Sequence, residues 1–451
     1  MGKNRIFIWS IVASLAGFIF GFDTVVISGA NLPIKALWTQ SLSPWFHGFF
    51  IMSMALWGTL FGALFGGIPT QHFGRKKVLL AIGILYTLSA FGTALAPDPY
   101  TFSFFRFLGG IGIGASSVAA PTYISEISSP QQRGRLVALY QFNIVFGILV
   151  AFLSNYLLQG FGGDNDWRWM LGMLAIPAVI YTLLVPGLPE SPRWLISKKN
   201  QEERARSIFQ QIGVTDIDRE IRQIREADGQ LVEGTPGVSL LNKRYARVLG
   251  LAFFIAFFNQ LSGINFILYY APEILQKANL AEKESLLNSI YIGGGNLIFT
   301  FVGLYLIDRL GRRLLLLLGS IGYIVSLSMV AYCFYHPVAP GILLGFLLLF
   351  IASHAVGQGA VIWVFIAESF PNKIRALGQS FGASVHWVFA AIITLVTPVF
   401  LDEQQGLLKD SPWVIFAFFA GMMVLQLLWV LTYVPETKGV SLEQLEKQLA
   451  R

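Results

Sequence analysis

The chain has 451 residues, of which 55% are hydrophobic and only 13% charged, with a formal net charge of +7. A soluble domain of average composition carries about 25% charged residues, which rules out an ordinary water-soluble enzyme. The positive balance does not point to nucleic acid either, because the basic residues fall in short clusters between long uncharged runs.

Crossing about 30 Å of hydrocarbon takes roughly 20 apolar residues. Twelve runs reach that length, at 6–30, 47–68, 78–96, 101–124, 135–158, 169–187, 247–270, 285–307, 314–336, 340–367, 376–400 and 412–434. They are continuously apolar and not alternating, which predicts helices over barrel strands. The first lacks a small-residue cleavage site and reads as a retained span, not a signal peptide. Late in it, "GFIFGFDTVVISGAN" places Asp23 among apolar residues, where an ionisable group is costly unless paired or functional. Span 4 holds an equally anomalous Arg106 in "FFRFLGG". Arginine stays protonated at physiological pH and needs an anion or strong acceptors, so Asp23 is its natural partner. "GGIGIGA" (109–115) in the same span has the look of a dinucleotide loop. It has no preceding strand, and close helix packing through small residues explains it better.

Orientation follows from loop charge. The even-numbered short connections hold Arg75, Lys76, Lys77, Arg133, Arg135, Arg309, Arg312, Arg313, Lys373 and Arg375, against five basic residues in the odd ones. The even loops and both termini are therefore predicted to be cytoplasmic. Absence of an Asn-x-Ser/Thr acceptor leans toward a bacterial inner membrane, and the single Cys333 leaves no intrachain disulfide. The long connection after span 6 contains "NQEERARSIFQQIG" and "DIDREIRQIREADG", two amphipathic helices with Gly213 and Gly229 as predicted stops. It reads as a cytoplasmic helical linker in preference to a nucleic-acid or calmodulin-type docking segment.

Three features recur at nearly one offset. Gly74 of "FGRKK" and Gly311 of "LGRR" are 237 apart, Glu126 of "EISSPQQR" and Glu368 of "ESFPNKIR" 242, and Pro189 of "PESPRWL" and Pro435 of "PETKG" 246. Recurrence in the same order predicts a duplicated six-helix unit: a bundle over 1–188, a linker over 189–246, a second bundle over 247–434 and a tail over 435–451. Parallel six-helix halves with a site between them form the architecture of a rocking transporter.

Taken together, "GRKK", "PESPRWL", "NQLSGIN" in span 7, "DRLGRR" and "PETKG" resemble the sugar porters of the major facilitator superfamily over essentially the whole chain. Among them, the chain looks most like bacterial proton-coupled monosaccharide symporters. The resemblance implies a twelve-helix all-α membrane fold. It also implies a latch that joins the halves on the cytoplasmic side when the carrier faces outward, with candidates Glu126, Arg133, Glu190, Arg193, Asp308, Arg312, Glu368, Arg375 and Glu436. Breakable interfacial charge pairs suit such a gate, while positive-inside anchoring is the structural alternative for each arginine. Gln71 stands where the superfamily usually has Asp, so the first-half charge relay is expected to be weaker than the second, which keeps Asp308.

A sugar offers hydroxyls that donate and accept, plus an apolar C–H face, which amides and aromatic planes can meet. Amides within apolar runs are otherwise expensive. Gln141, Asn259, Gln260, Asn265 and Asn296 lie at mid-span, with Phe20, Trp363 and Trp387 at similar depth. On an ideal helix Gln260 and Asn265 would lie about 140° apart, so a break at Ser262-Gly263 is predicted. The resemblance implies sugar binding at Gln141, Gln260, Asn265, Asn296 and Trp363, and Tyr269 and Gly359 complete the candidate set. Ile148 and His386 stand where the xylose-type symporters carry glutamine; a histidine there is similar to fructose-type carriers, whereas Trp363 is similar to glucose-type ones. Ala360 replaces a family proline, leaving Gly357 and Gly359 as the flexing point of span 10.

Symport through Asp23 and Arg106 is the leading reading, because separating the pair lets the acid take a proton, and uniporter relatives tend to carry a neutral residue there. A uniporter and a membrane sugar sensor are the alternatives. The short tail argues against the sensor, and no catalytic triad, metal motif or P-loop argues for an enzyme or an ATP-driven pump. No cofactor beyond the coupling proton, no nucleic acid and a monomeric carrier are expected, with the lipid bilayer and a monosaccharide as the only partners.

Overall fold

The computed structural model describes residues 2–39, 42–129, 132–232, 242, 245–336, 338–371 and 374–439. Among them, twelve helical segments are long and apolar enough to cross a membrane: Asn4–Thr39, Pro44–Phe65, Arg75–Leu95, Pro99–Ile127, Arg133–Leu158, Gly163–Gly187, Ala246–Lys277, Glu282–Leu310, Arg312–Tyr335, Pro340–Ser369, Leu377–Leu401 and Trp413–Tyr433, called spans 1 to 12. No strand occurs among the described residues. Span 1 packs on span 5 and span 2 on span 4 in the first half, and span 9 on span 12 in the second. Between the halves, span 5 lies on span 8, span 2 on span 11, and span 1 on span 7.

Local chemistry accounts for the irregular stretches. Span 1 runs nine residues beyond its predicted end at 30 and widens into a π-helix over Lys35–Thr39. Asn31 and Lys35, beyond the predicted end, continue the helix and find partners in Glu273 of span 7 and Asp402 just after span 11. Span 7 breaks after Leu261: Gly263 takes φ 86, and a second helix starts at Ile264. That second helix kinks at Tyr270, two residues before Pro272, where the ring and the missing N–H disturb the preceding turn. Span 10 breaks at Gly357. A side chain on Gly110 or Gly114 would run into the carbonyls of Ala55 or Thr59 on span 2, so "GGIGIGA" serves close packing.

Three helices form the described part of the linker: Pro192–Lys199, Glu202–Ile212 and Ile217–Val232. The first was not foreseen; Ser191 caps it, and Trp194 Nε1 donates to the Gln71 carbonyl at 2.7 Å. Gly213 ends the second helix in the left-handed region. Gly229 does not end the third, which continues to Val232, since one glycine costs a helix only about 1 kcal/mol. The expected linker residues 233–241 and 243–244, and the tail from 440 onward, lie outside the described residues.

Candidate functional site

The break in span 7 makes Gln260 the centre of a polar cluster. Its Oε1 accepts from Asn265 Nδ2 at 2.7 Å, across the Gly263 turn. Its Nε2 donates to Asn259 Oδ1 at 3.1 Å and lies 3.1 Å from both ring nitrogens of His386 on span 11. His386 in turn sits between two indoles, with ring centroids 5.0 Å from Trp363 and 4.8 Å from Trp387. Trp387 reaches across to Phe20 of the first half at 5.8 Å. Asn259, Gln260, Asn265 and Trp387 are buried, whereas Trp363 is 41% exposed and presents an open face. Tyr269 and Asn296 are buried on spans 7 and 8. Gln141 is half-buried on span 5, with no hydrogen bond among the described residues. Gly359 lies two residues after the span 10 break, packed on His354. The hydrogen bonds and ring contacts thus unite Phe20, Asn259, Gln260, Asn265, Trp363, His386 and Trp387; they do not extend to Gln141, Tyr269, Asn296 or Gly359.

Asp23 and Arg106 meet as expected. Arg106 donates to Asp23 Oδ1 at 2.5 Å and, more weakly, to the Asp23 carbonyl at 3.4 Å, with both side chains almost wholly buried. The other carboxylate oxygen, Asp23 Oδ2, is buried without a partner. The pair therefore leaves one carboxylate oxygen without a donor.

At the linker end the duplicated motifs build the same device twice. Arg75 clasps Glu126 through two bonds at 2.7 and 2.8 Å, as Arg312 clasps Glu368 at 2.8 and 3.1 Å. Glu190 accepts from the backbone N–H groups of Arg75 and Lys76, and Glu436 from those of Arg312 and Arg313. Both carboxylates sit at a helix N-terminus, where orphan amides and the helix dipole favour an anion. Burial pushes the Glu436 carboxyl up, but the amides of Lys438, Arg312, Arg313 and Thr437 outweigh it and leave it below the ordinary value.

The latch is expected of an outward-facing carrier; in the form described, the pairs made by Glu126, Glu190, Arg312, Glu368 and Glu436 each stay within one half and staple it. Arg133 and Arg375 donate to the nearby carbonyls of Ser125 and Phe370 instead of to a carboxylate, and Arg193 is exposed. The two clasps are alike in length; beyond them the second half keeps an ion pair from Asp308, itself 82% exposed, to Arg312 at 3.8 Å, whereas Gln71 brings no charge to Arg75. Arg75 was missed as a clasp residue, although its place in the repeat, 237 before Arg312, marks it.

The halves are joined by polar contacts at the opposite end, which the sequence reading also missed. Lys35 pairs with Asp402 at 2.6 Å, and Asn31 donates to Glu273 at 2.8 Å.

The family model for sugar (and other) transporters matches residues 9–449. The arabinose-proton symporter of Bacillus subtilis is 34% identical over 447 residues, covering 97% of this chain and 94% of that one. The inward-open conformation of the xylose transporter XylE from E. coli superposes with a TM-score of 0.86 at 30% identity, over 98% of this chain and 99% of that one. The proton:xylose symporter XylE bound to 6-bromo-6-deoxy-D-glucose gives 0.79 at 29% identity, over the full length of both chains (100% each). Twelve membrane helices in two halves, a matching whole-chain model and relatives above 30% identity settle the family: this chain is a multi-pass bacterial membrane protein that belongs to the sugar transporters of the major facilitator superfamily.

Proposed function

We propose that the protein carries a neutral monosaccharide across the bacterial cell membrane by alternating access, in symport with a proton. The observation that carries this reading is the polar Gln260 cluster in the second half together with a buried Asp23–Arg106 pair in the first. Gln260, Asn259 and Asn265 offer donors and acceptors in both senses, and the bonds they make to one another can be exchanged for hydroxyls at little net cost. Trp363 supplies a plane for the C–H face. The cluster contains no ionised side chain, so it suits an uncharged sugar better than a sugar acid or phosphate. His386 and Ile148 shape the choice of sugar. The proton-coupled relatives, one named for arabinose and one for xylose, support the coupling.

The linker end is cytoplasmic in this reading, from the bias of basic residues, and both termini face the same side. The form described is then inward-facing. Polar contacts join the halves at the far end, and likeness to the inward-open conformation is greater than to the form with bound 6-bromo-6-deoxy-D-glucose. A single chain supplies every group named, so a monomer suffices.

The test is uptake of labelled monosaccharides into proteoliposomes, with and without an imposed pH gradient. Symport predicts accumulation above the external level of at least one hexose or pentose when the outside is acid. Equilibration that ignores the gradient would assign the protein to facilitated diffusion. Binding without uptake would assign it to sensing.

A further inference from the structure

At the end away from the linker, four buried polar side chains form one continuous chain from the first half to the second. Thr39 Oγ1 lies 2.7 Å from His47 Nδ1, His47 Nε2 lies 2.7 Å from Asn31 Oδ1, and Asn31 Nδ2 donates to Glu273 Oε2 at 2.8 Å. Donor direction is fixed from the carboxylate backwards. Asn31 must offer its N–H to Glu273, so its oxygen accepts, and His47 must carry its proton on Nε2. Beside the chain, Lys35 bridges to Asp402, whose other oxygen accepts from the amides of Gln404 and Gln405. Spans 1 and 2 supply Asn31, Lys35, Thr39 and His47; span 7 and the loop after span 11 supply Glu273 and Asp402.

We propose that this network is the outward gate of the transporter, and that Glu273 is a second proton-responsive residue, distinct from Asp23, whose protonation from outside releases the gate. The gate assignment rests on the orientation and transport reading above.

Geometry selects Glu273 among the candidates. Burial pushes the Asp402 carboxyl up, but Lys35 and the amides of Gln405 and Gln404 outweigh it and hold it below the ordinary range. Asp402 therefore stays ionised at working pH. His47 can gain a proton without breaking the chain: Thr39 then accepts from Nδ1 and turns its own proton to the Lys35 carbonyl, 3.5 Å away. Glu273 has no such reserve, because its bond to Asn31 is charge-assisted only while it is ionised, and such bonds are about twice as strong as neutral ones. The groups facing it are Lys35 and Asn31 from span 1, Lys277 and Tyr270 from its own helix, and Glu403 from the loop after span 11. It lies one turn from the end of span 7 at Lys277, so a proton has a short path from that face. Acid outside would thus favour the outward-open form at the moment when proton and sugar load.

Pulsed EPR distances test this on the full chain in nanodiscs. Spin labels go on Trp45→Cys and Leu407→Cys, 54% and 71% exposed on opposite halves at this end, in a Cys333→Ser background. Between pH 8 and pH 5 the native chain should gain a longer-distance population. Glu273→Gln should raise the open-to-closed ratio about tenfold at pH 8 and lose most of the response to acid. Asp402→Asn should raise it at every pH while keeping the response, and Asp23→Asn should also keep it. An unresponsive native chain, or a Glu273→Gln variant with the native distribution and response, overturns the proposal. Should Glu273→Gln fail to fold, Asn31→Ala removes the same contact, and a native distance distribution there overturns it equally. Failure of the symport reading looks different: native protein would ignore the gradient in proteoliposomes while the distances still respond to pH.

Discussion

Gln260 touches Asn259, Asn265 and His386 at once, so one side chain sets the positions of three groups that can face a sugar. Gln260→Ala should weaken sugar binding by about 5- to 150-fold, the equivalent of losing a buried hydrogen-bond partner worth roughly 1–3 kcal/mol, with melting behaviour nearly unchanged. Calorimetry checks it, and native affinity in the variant would remove Gln260 from the site. The imidazole of His386 lies between Trp363 and Trp387, within the cluster proposed to bind sugar. His386→Gln should reorder preference among glucose, fructose and xylose in a competition assay. An identical competition profile in a folded variant would make His386 a packing residue. These amides were legible in sequence because an amide within an apolar run has few reasons to be there. Asn31, His47 and Glu273 were not, for a physical reason: the predicted spans ended at 30 and 270 and began at 47. That put two of them outside hydrocarbon and the third at its edge, where polar residues are ordinary. The helices continue past those limits, and Asn31 meets Glu273 across the halves, which no local pattern reveals.

Elements carry strain and symmetry that single residues do not. The φ of 86 at Gly263 is unfavourable for any side chain, and a Cβ there would press on the ring of Phe419. Gly263→Ala should therefore cost about 1–2 kcal/mol of stability and also separate Gln260 from Asn265, so that affinity falls together with melting temperature. A variant that binds normally would show that the break does not position the amides. This break was legible because two amides about 140° apart on an ideal helix cannot face one cavity. The helix-end carboxylates give a pH prediction. Glu436 sits below the ordinary glutamate value, so its contribution is fully present above that value and is lost as pH falls through the lowered one. Glu436→Gln should then melt earlier than native protein at neutral pH, with the gap narrowing once pH falls below the ordinary glutamate value of about 4.3 and closing as it passes through the lowered one. A gap that is constant with pH would mean that the carboxylate charge contributes nothing. The duplicated motifs were visible in sequence, but the clasp that each makes within its own half was not. A repeat predicts that two halves are built alike, and it is silent on whether a charge joins helices within a half or between halves.

The whole molecule must change shape to transport, and the polar contacts show which end is held. In the form described, spans 1 and 2 are tied to span 7 and the loop after span 11 at the end away from the linker, while the clasps at the linker end leave each half free to move as a body. Rocking between two such states needs only modest contacts at either end, because each must be broken once per cycle. Proton coupling then requires a group whose charge state differs between the two states. Asp23 fits that requirement: it lies on span 1, its partner Arg106 lies on span 4, and its second oxygen is buried and unpartnered. A carboxylate buried beside arginine can remain ionised, and one that loses the arginine in a dry interior is driven to take a proton. Asparagine keeps the shape of the aspartate and part of its hydrogen bonding, and it cannot take up or release that proton. Asp23→Asn should therefore abolish accumulation driven by a pH gradient, while sugar binding and sugar–sugar counterflow stay measurable because the Gln260 cluster is untouched. Loss of all three activities would make the pair a structural strut. Concentrative uptake that survives the substitution would place the coupling proton elsewhere, and Glu273→Gln in the same vesicles would then be the next residue to decide it.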